Sequence, residues 1–100
     1  MAGMGKSVVA KMGEREVICR ELTVEAMRGL LARAPETDLV SMALYEDVQL
    51  GDLPAFTDLS AAEVGEAHPS ELDKVMEGIR EANPHFFAML VRVTKAPRPA

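Results

Sequence analysis

The sequence predicts a mainly α, single-domain α+β fold, with an N-terminal β-hairpin packed on a small bundle of about five helices. Three observations predict it. Two short apolar runs flank a glycine near the start. Downstream, capping residues repeatedly precede segments with a 3.6-residue apolar period. Prolines and glycines punctuate those segments at intervals that suit short helices.

The hairpin is read from "KSVVAK" at 6–11 and "REVICRE" at 15–21, separated by "MGE". Gly13 can supply the positive φ that a tight turn needs. Val17-Ile18-Cys19 breaks strict alternation, so both faces of the second strand are expected to be partly covered. Two strands alone are marginal in water and must pack on helices.

Thr23 reads as an N-cap, and Glu25 suits the positive end of the helix dipole. Val24, Met27, Leu30 and Leu31 then share one face, and Pro35 ends the element. A second helix is expected over 38–50, capped by Asp38, striped by Val40, Ala43, Leu44 and Val48, and stopped by Gly51. "DLPAFTDL" is read as a connector. Ser60 and Glu63 stand at capping-box spacing before a short helix to about Ala67, and Ser70 and Asp73 repeat that spacing after Pro69. Behind them Leu72, Val75, Met76 and Ile79 stand at i, i+3, i+4 and i+7, the sharpest amphipathic stripe in the chain. Pro84 ends that helix and opens a last one to about Lys95.

The domain is therefore expected over 6–95, with residues 1–5 and 96–100 as flexible ends. The core is expected to join Val17, Ile18, Met27, Leu30 and Leu31 to the stripe of the 69–82 helix. With one cysteine, Cys19, no intrachain disulfide can form, which points to a reducing, cytoplasmic setting. No signal peptide is expected, and no apolar stretch approaches the ~20 residues that span a bilayer.

Net charge is −5 but uneven: +2 over 1–35, −10 over 36–81 and +3 over 82–100. The acidic middle argues against nucleic acid as a partner, because phosphate contacts need clustered Lys and Arg. "GMGKS" at 3–7 resembles a phosphate loop only in part. The full pattern needs a Gly five positions before Gly5 and a preceding strand. His68, His85 and Cys19 match no metal-ligand spacing. Cys19 sits in an apolar run, where a buried inert thiol is expected. No isolated carboxylate pair suggests acid–base work. Neither enzyme activity, cofactor nor metal is expected.

The last helix is the most informative feature. Seven of the eight residues from Phe86 to Val93 are apolar. At ~100° per residue, Phe86, Met89, Leu90 and Val93 share one face, with Phe87 and Val91 in a second stripe beside it. Phe86 and Leu90 are assigned to the core. Phe87 and Val91, with the turn at Asn83 and Pro84, are assigned to a partner surface.

Taken in order, "GEREVICRELTVEAMRGLL", acidic middle helices and "LSAAEVGEAHPSELDKVMEGIREANPHFF" resemble the small tail assembly chaperones of tailed bacteriophages and prophages. The resemblance covers roughly residues 6–91. It rests on Arg20-Glu21-Leu22-Thr23-Val24, on Leu59-Ser60 and, most of all, on Glu81-Ala82-Asn83-Pro84-His85-Phe86-Phe87. It implies a non-enzymatic cytoplasmic factor that coats the long helical tape-measure protein before the tube polymerises. In some members a frameshifted longer form recruits the tail tube subunit. The other reading is a structural or homodimerising helical module, whose apolar surplus is its own seam. A small DNA-binding regulator is a third, disfavoured by the acidic middle.

Overall fold

Gly13 has φ +64°, and Glu14 stays at negative φ. A two-residue loop with positive φ at its first central position is the hairpin turn whose twist matches its strands. It joins β1 (Ser7–Met12) to β2 (Arg15–Arg20), antiparallel, with Met12 opposite Arg15, Val9 opposite Ile18 and Ser7 opposite Arg20. Among the described residues six helices follow: α1 (Val24–Ala32), α2 (Leu39–Ala43), α3 (Leu53–Phe56), α4 (Ala61–Glu66), α5 (Pro69–Ala82) and α6 (Pro84–Lys95). A 3-10 turn at Leu50–Asp52 leads into α3. The computed structural model describes residues 5–34 and 36–95, with Thr94 and Lys95 described by backbone alone. Of the expected flexible ends over 1–5 and 96–100, residues 1–4 and 96–100 lie outside the described residues, as does the stop at Pro35.

The hairpin on helices is the architecture expected. Its core is a single cluster: Val17 and Cys19 of β2, Leu22, Val48, Leu53 and Phe56, Leu59 and Val64, the stripe Leu72, Val75, Met76 and Ile79, then Ala82 and Phe86. Val17 and Cys19 are fully buried, whereas Val8, Ala10 and Met12 of β1 are only half-buried. The expectation that Ile18 joins this core fails, because β2 alternates and turns Ile18 to the outer face beside Val9. Leu31 and Val24 also point outward; α1 rests on the core through Met27 and Leu30 alone.

Three further expectations need correction. The second helix stops at Ala43 instead of running to residue 50. Side chains hold the backbone after it in other shapes: Gln49 Oε1 accepts from the Glu36 N–H at 2.9 Å, and Asp52 Oδ2 accepts from the Gln49 N–H at 3.3 Å. The Gln49–Asp52 bond, three residues apart, is of the local kind that competes with helix. Second, the "DLPAFTDL" connector holds α3 and two of the most buried side chains, Leu53 and Phe56. Thr57 forms an antiparallel bridge to Cys19, donates to the Leu53 carbonyl at 2.8 Å and accepts from the Leu59 N–H at 3.1 Å. Third, α5 begins at Pro69 with His68 as its N-cap, ahead of the expected Ser70 cap. Proline suits the first helical position, and Glu71 accepts from the His68 N–H at 2.9 Å.

Helix α5 lies directly against the hairpin at Gly78. A Cβ there would sit 2.8 Å from Cys19 Sγ and 3.3 Å from Ala10 Cβ. Glycine is thus the residue that lets a helix approach this closely, although it weakens the helix itself. At the other end of β2, Arg15 clasps α4: its Nε donates to Glu63 at 2.8 Å, while Glu63 also completes the capping box with Ser60. The Arg15 bond, followed by the Ser60 cap, pulls the Glu63 carboxyl down to about 2 from an ordinary 4.5.

Two outcomes follow. Gly78→Ala should lower stability although alanine is the better helix former, and Cys19→Ala should remove part of that loss in a double-mutant cycle read by chemical unfolding. Glu63, with its folded pKa depressed, contributes stability that is present above the unfolded value and lost as pH falls through the folded one. The stability gap between the native protein and Glu63→Gln should therefore be full above pH 4.5 and close towards pH about 2.

Candidate partner-binding surface

Asn83 joins α5 to α6 in a non-helical conformation, φ −127°, ψ 51°. Its side chain is buried (1% exposed) and fully bonded. Oδ1 accepts from the Leu22 N–H at 2.8 Å; Nδ2 donates to the Arg20 carbonyl at 2.8 Å and the Ile79 carbonyl at 3.1 Å. Asn83 thereby pins the corner to the junction between β2 and α1. This corrects its assignment to a partner surface: the amide is spent inside the fold. Pro84, the first residue of α6, is exposed as that assignment needs.

From this corner α6 divides its two phenylalanines. Phe86 enters the core (1% exposed), its ring edge-on to Phe56 at 5.6 Å. Phe87 is half-buried rather than free of the core. Its ring stacks on Phe56 at 6.2 Å and meets Phe86 edge-on at 5.3 Å. The Arg80 guanidinium lies 5.8 Å over the Phe87 ring and also holds Asp47, with Nη2 at 3.1 Å and 3.2 Å from the two carboxylate oxygens. Val91 is half exposed, and Val93, expected on the core face, lies at 57% exposure where α6 runs past the bundle.

Phe87, Leu90 and Val91 line a groove of about 520 Å³ whose far wall is Glu46 and Asp47. Leu90, Glu46 and Asp47 also border a second recess of about 300 Å³, which reaches Leu31 and Met42. The two recesses share Leu90, Glu46 and Asp47 and run together across α6, the segment after α2, and the end of α1; the first is mainly apolar and the second mainly polar. Their rim is polar and strongly braced. Tyr45 donates to Asp73 at 3.1 Å, and burial, then that bond, pushes its hydroxyl up to about 12. Arg33 pairs with Asp52 and, at 3.3 Å, with Glu36. Burial raises the Asp52 carboxyl in spite of Arg33, so the pair is partly shielded from water.

Sequence reasoning missed Leu31, Met42 and Glu46 as parts of this surface. Leu31 fell on the apolar face of its helix, and only the tertiary placement of α1 turns it to the groove.

Cys19 is buried with Sγ 3.7 Å from the Val75 carbonyl, and burial pushes its thiol up to about 11. His68 is engaged with Glu71 at 3.2 Å, and His85 is exposed on α6. Among the described residues, no three His, Cys, Asp or Glu side chains are grouped to hold a metal ion. Also among the described residues, no helix is long and apolar enough to cross a membrane. No protein-family model, curated protein or solved structure matches the chain.

The corner makes a prediction. Asn83→Asp keeps the shape but sets an acceptor against the Arg20 and Ile79 carbonyls, and should cost ~3 kcal/mol at neutral pH. A carboxyl in that site is held protonated, so its pKa is raised and the lost stability should return in part as pH is lowered. Urea unfolding at two pH values reads both effects.

Proposed function

We propose that this chain is a non-enzymatic phage tail assembly chaperone that holds an apolar stripe of the long helical tape-measure protein until the tube forms around it. The observation that carries the reading is the groove of Phe87, Leu90 and Val91 beside Glu46 and Asp47. Its volume accommodates two or three large apolar side chains, the number that a helix presents at i, i+3 and i+4. The continuation past Leu90 to Leu31 and Met42 lengthens the contact along the helix axis. Phe87 is a suitable anchor because Phe56 and Arg80 already hold its ring, so little side-chain freedom is lost on binding.

Charge supports the same partner. Glu46 and Asp47, from the acidic run of residues 36–81, form one side of the groove and favour a helix flanked by Lys or Arg. It disfavours nucleic acid. The likeness of the Glu81–Phe87 run and its neighbours to phage tail chaperones supplies the biological setting: action in the host cytoplasm, without cofactor, with the tube subunit as a second partner of a longer form.

Val91→Asp should abolish co-purification with the co-expressed tape-measure protein while leaving the melting temperature within about 2 °C, since surface changes are small. Val24→Asp, on the exposed side of α1, should retain the partner. Retention by Val91→Asp, or equal loss in both variants, would overturn the reading.

A further inference from the structure

The two edges of the hairpin are treated differently. On the β2 edge, Ile18 donates its N–H to Asp58 Oδ1 at 3.1 Å and accepts from the Asp58 N–H at 3.2 Å, while Thr57 bridges Cys19. That edge is covered. Among the described residues, β1 has no strand on its other side.

Pairing geometry says which groups this leaves. Ile18 turns its N–H and C=O away from β1, so Ile18 and Val9 form a non-hydrogen-bonded pair. By alternation Ser7, Val9 and Lys11 all direct their N–H and C=O outward, giving six groups along one edge. The groove beside this edge, about 270 Å³, is lined by Val8 and Ala10 on one side and by Lys74, Glu77 and Glu81 of α5 on the other. Val8, Ala10 and Met12, the inward side chains of β1, are half-buried, whereas Cys19 and Val17, opposite Val8 and Ala10, are fully covered. The core is left unfinished along this line.

We infer that this edge is the seam of a homodimer, in which β1 pairs antiparallel with β1 of a second copy to make a four-stranded sheet. One register satisfies all six outward groups within the strand: Val9 opposite the partner subunit's Val9, and Ser7 opposite the partner subunit's Lys11. It avoids setting two lysines face to face, which would be repulsive. It also places Val8 beside the partner subunit's Ala10 on the inner face, which continues the apolar layer over the half-covered edge. Exposed Val9 and Ile18 become the centre of an apolar stripe across four strands on the outer face.

The helix beneath agrees with this axis. Gly78 faces Ala10 and Cys19, and Cys19 is the residue opposite Val8, so Gly78 lies level with Val9. A two-fold axis at Val9 reverses α5 about Gly78. Lys74 and Glu81 stand about two turns apart on either side, so Lys74 comes level with the partner subunit's Glu81, and the reverse. A second copy is thus complementary in backbone, apolar layer and flanking charge, as an isologous contact requires. The seam uses no residue of the groove on α6, so each reading can fail without the other.

Cysteine cross-linking with sedimentation tests the seam, and the buried Cys19 leaves an introduced thiol as the reactive one. Paired residues of this kind lie about 5.5 Å apart at Cα, within disulfide reach. Val9→Cys should therefore form a disulfide-linked dimer under mild oxidation. Ile18→Cys, one strand further from the axis on each side, should not. The native protein should sediment as a dimer at about 100 µM, and Val9→Lys should weaken association by about tenfold or more with unchanged far-UV circular dichroism. A native protein that stays monomeric at that concentration would overturn the inference. So would a dimer that Val9→Lys leaves intact, or cross-linking of Ile18→Cys as fast as of Val9→Cys.

Discussion

Three hydrogen bonds from one buried amide hold the parts of this fold in register. Asn83 ties the end of α5 to the strand that precedes α1, through the Arg20 carbonyl and the Leu22 N–H, and closes the last turn of α5 through the Ile79 carbonyl. Each of those backbone groups lies where regular structure has just ended and would otherwise lack a partner. An amide offers one acceptor and two donors, which matches one N–H and two carbonyls. A carboxylate or a hydroxyl offers no such match. Everything downstream depends on it, because the corner sets the direction in which α6 leaves and hence which phenylalanine enters the core.

The closeness of α5 to the hairpin is the second half of the same construction. Gly78 removes the side chain that would hold the helix away from Cys19 and Ala10. The hairpin then buries Val17 and Cys19 of β2 completely in the cluster that holds Val75, Met76 and Ile79, while β1 remains at the margin. A protein with little aromatic content uses its three phenylalanines in one place. Phe56 receives Phe86 from inside and Phe87 from the border, so the core and the exposed groove share a wall.

That sharing is physically useful. A groove whose floor is also core needs no rearrangement to receive a helix, and its side chains are ordered beforehand. The open β1 edge belongs to other elements, so a dimer through β1 leaves the two α6 grooves of the pair both available. Two grooves on one particle would bind a long helical chain with an effective concentration that a single site lacks.

Periodicity and local chemistry made the elements themselves legible. Gly13 between two apolar runs, Thr23, Asp38 and Ser60 as caps, Pro84 as a helix start and the stripe from Leu72 to Ile79 all depend on residues a few positions apart, and the folded chain places them where those rules say. What failed was anything that depends on coverage. The stripe of α1 was visible, yet only Met27 and Leu30 find a surface to cover, so Leu31 is left to the groove. Asp38 caps a helix that ends after five residues, and the Gln49 side chain that holds the Glu36 N–H reaches it from thirteen positions away, which no local pattern relates. Phe56 stood in a stretch with no period at all and lies at the centre of the core. Asn83, read as a turn residue open to a partner, is buried because β2 and α1 arrive beside it. By itself the sequence determined where the hairpin turns, where most helices begin and which apolar sides they carry, since those are properties of neighbours along the chain. Only the tertiary structure decided which apolar sides are covered and which polar groups are consumed, because burial depends on the area that distant segments bring and on the hydrogen-bond partners they carry.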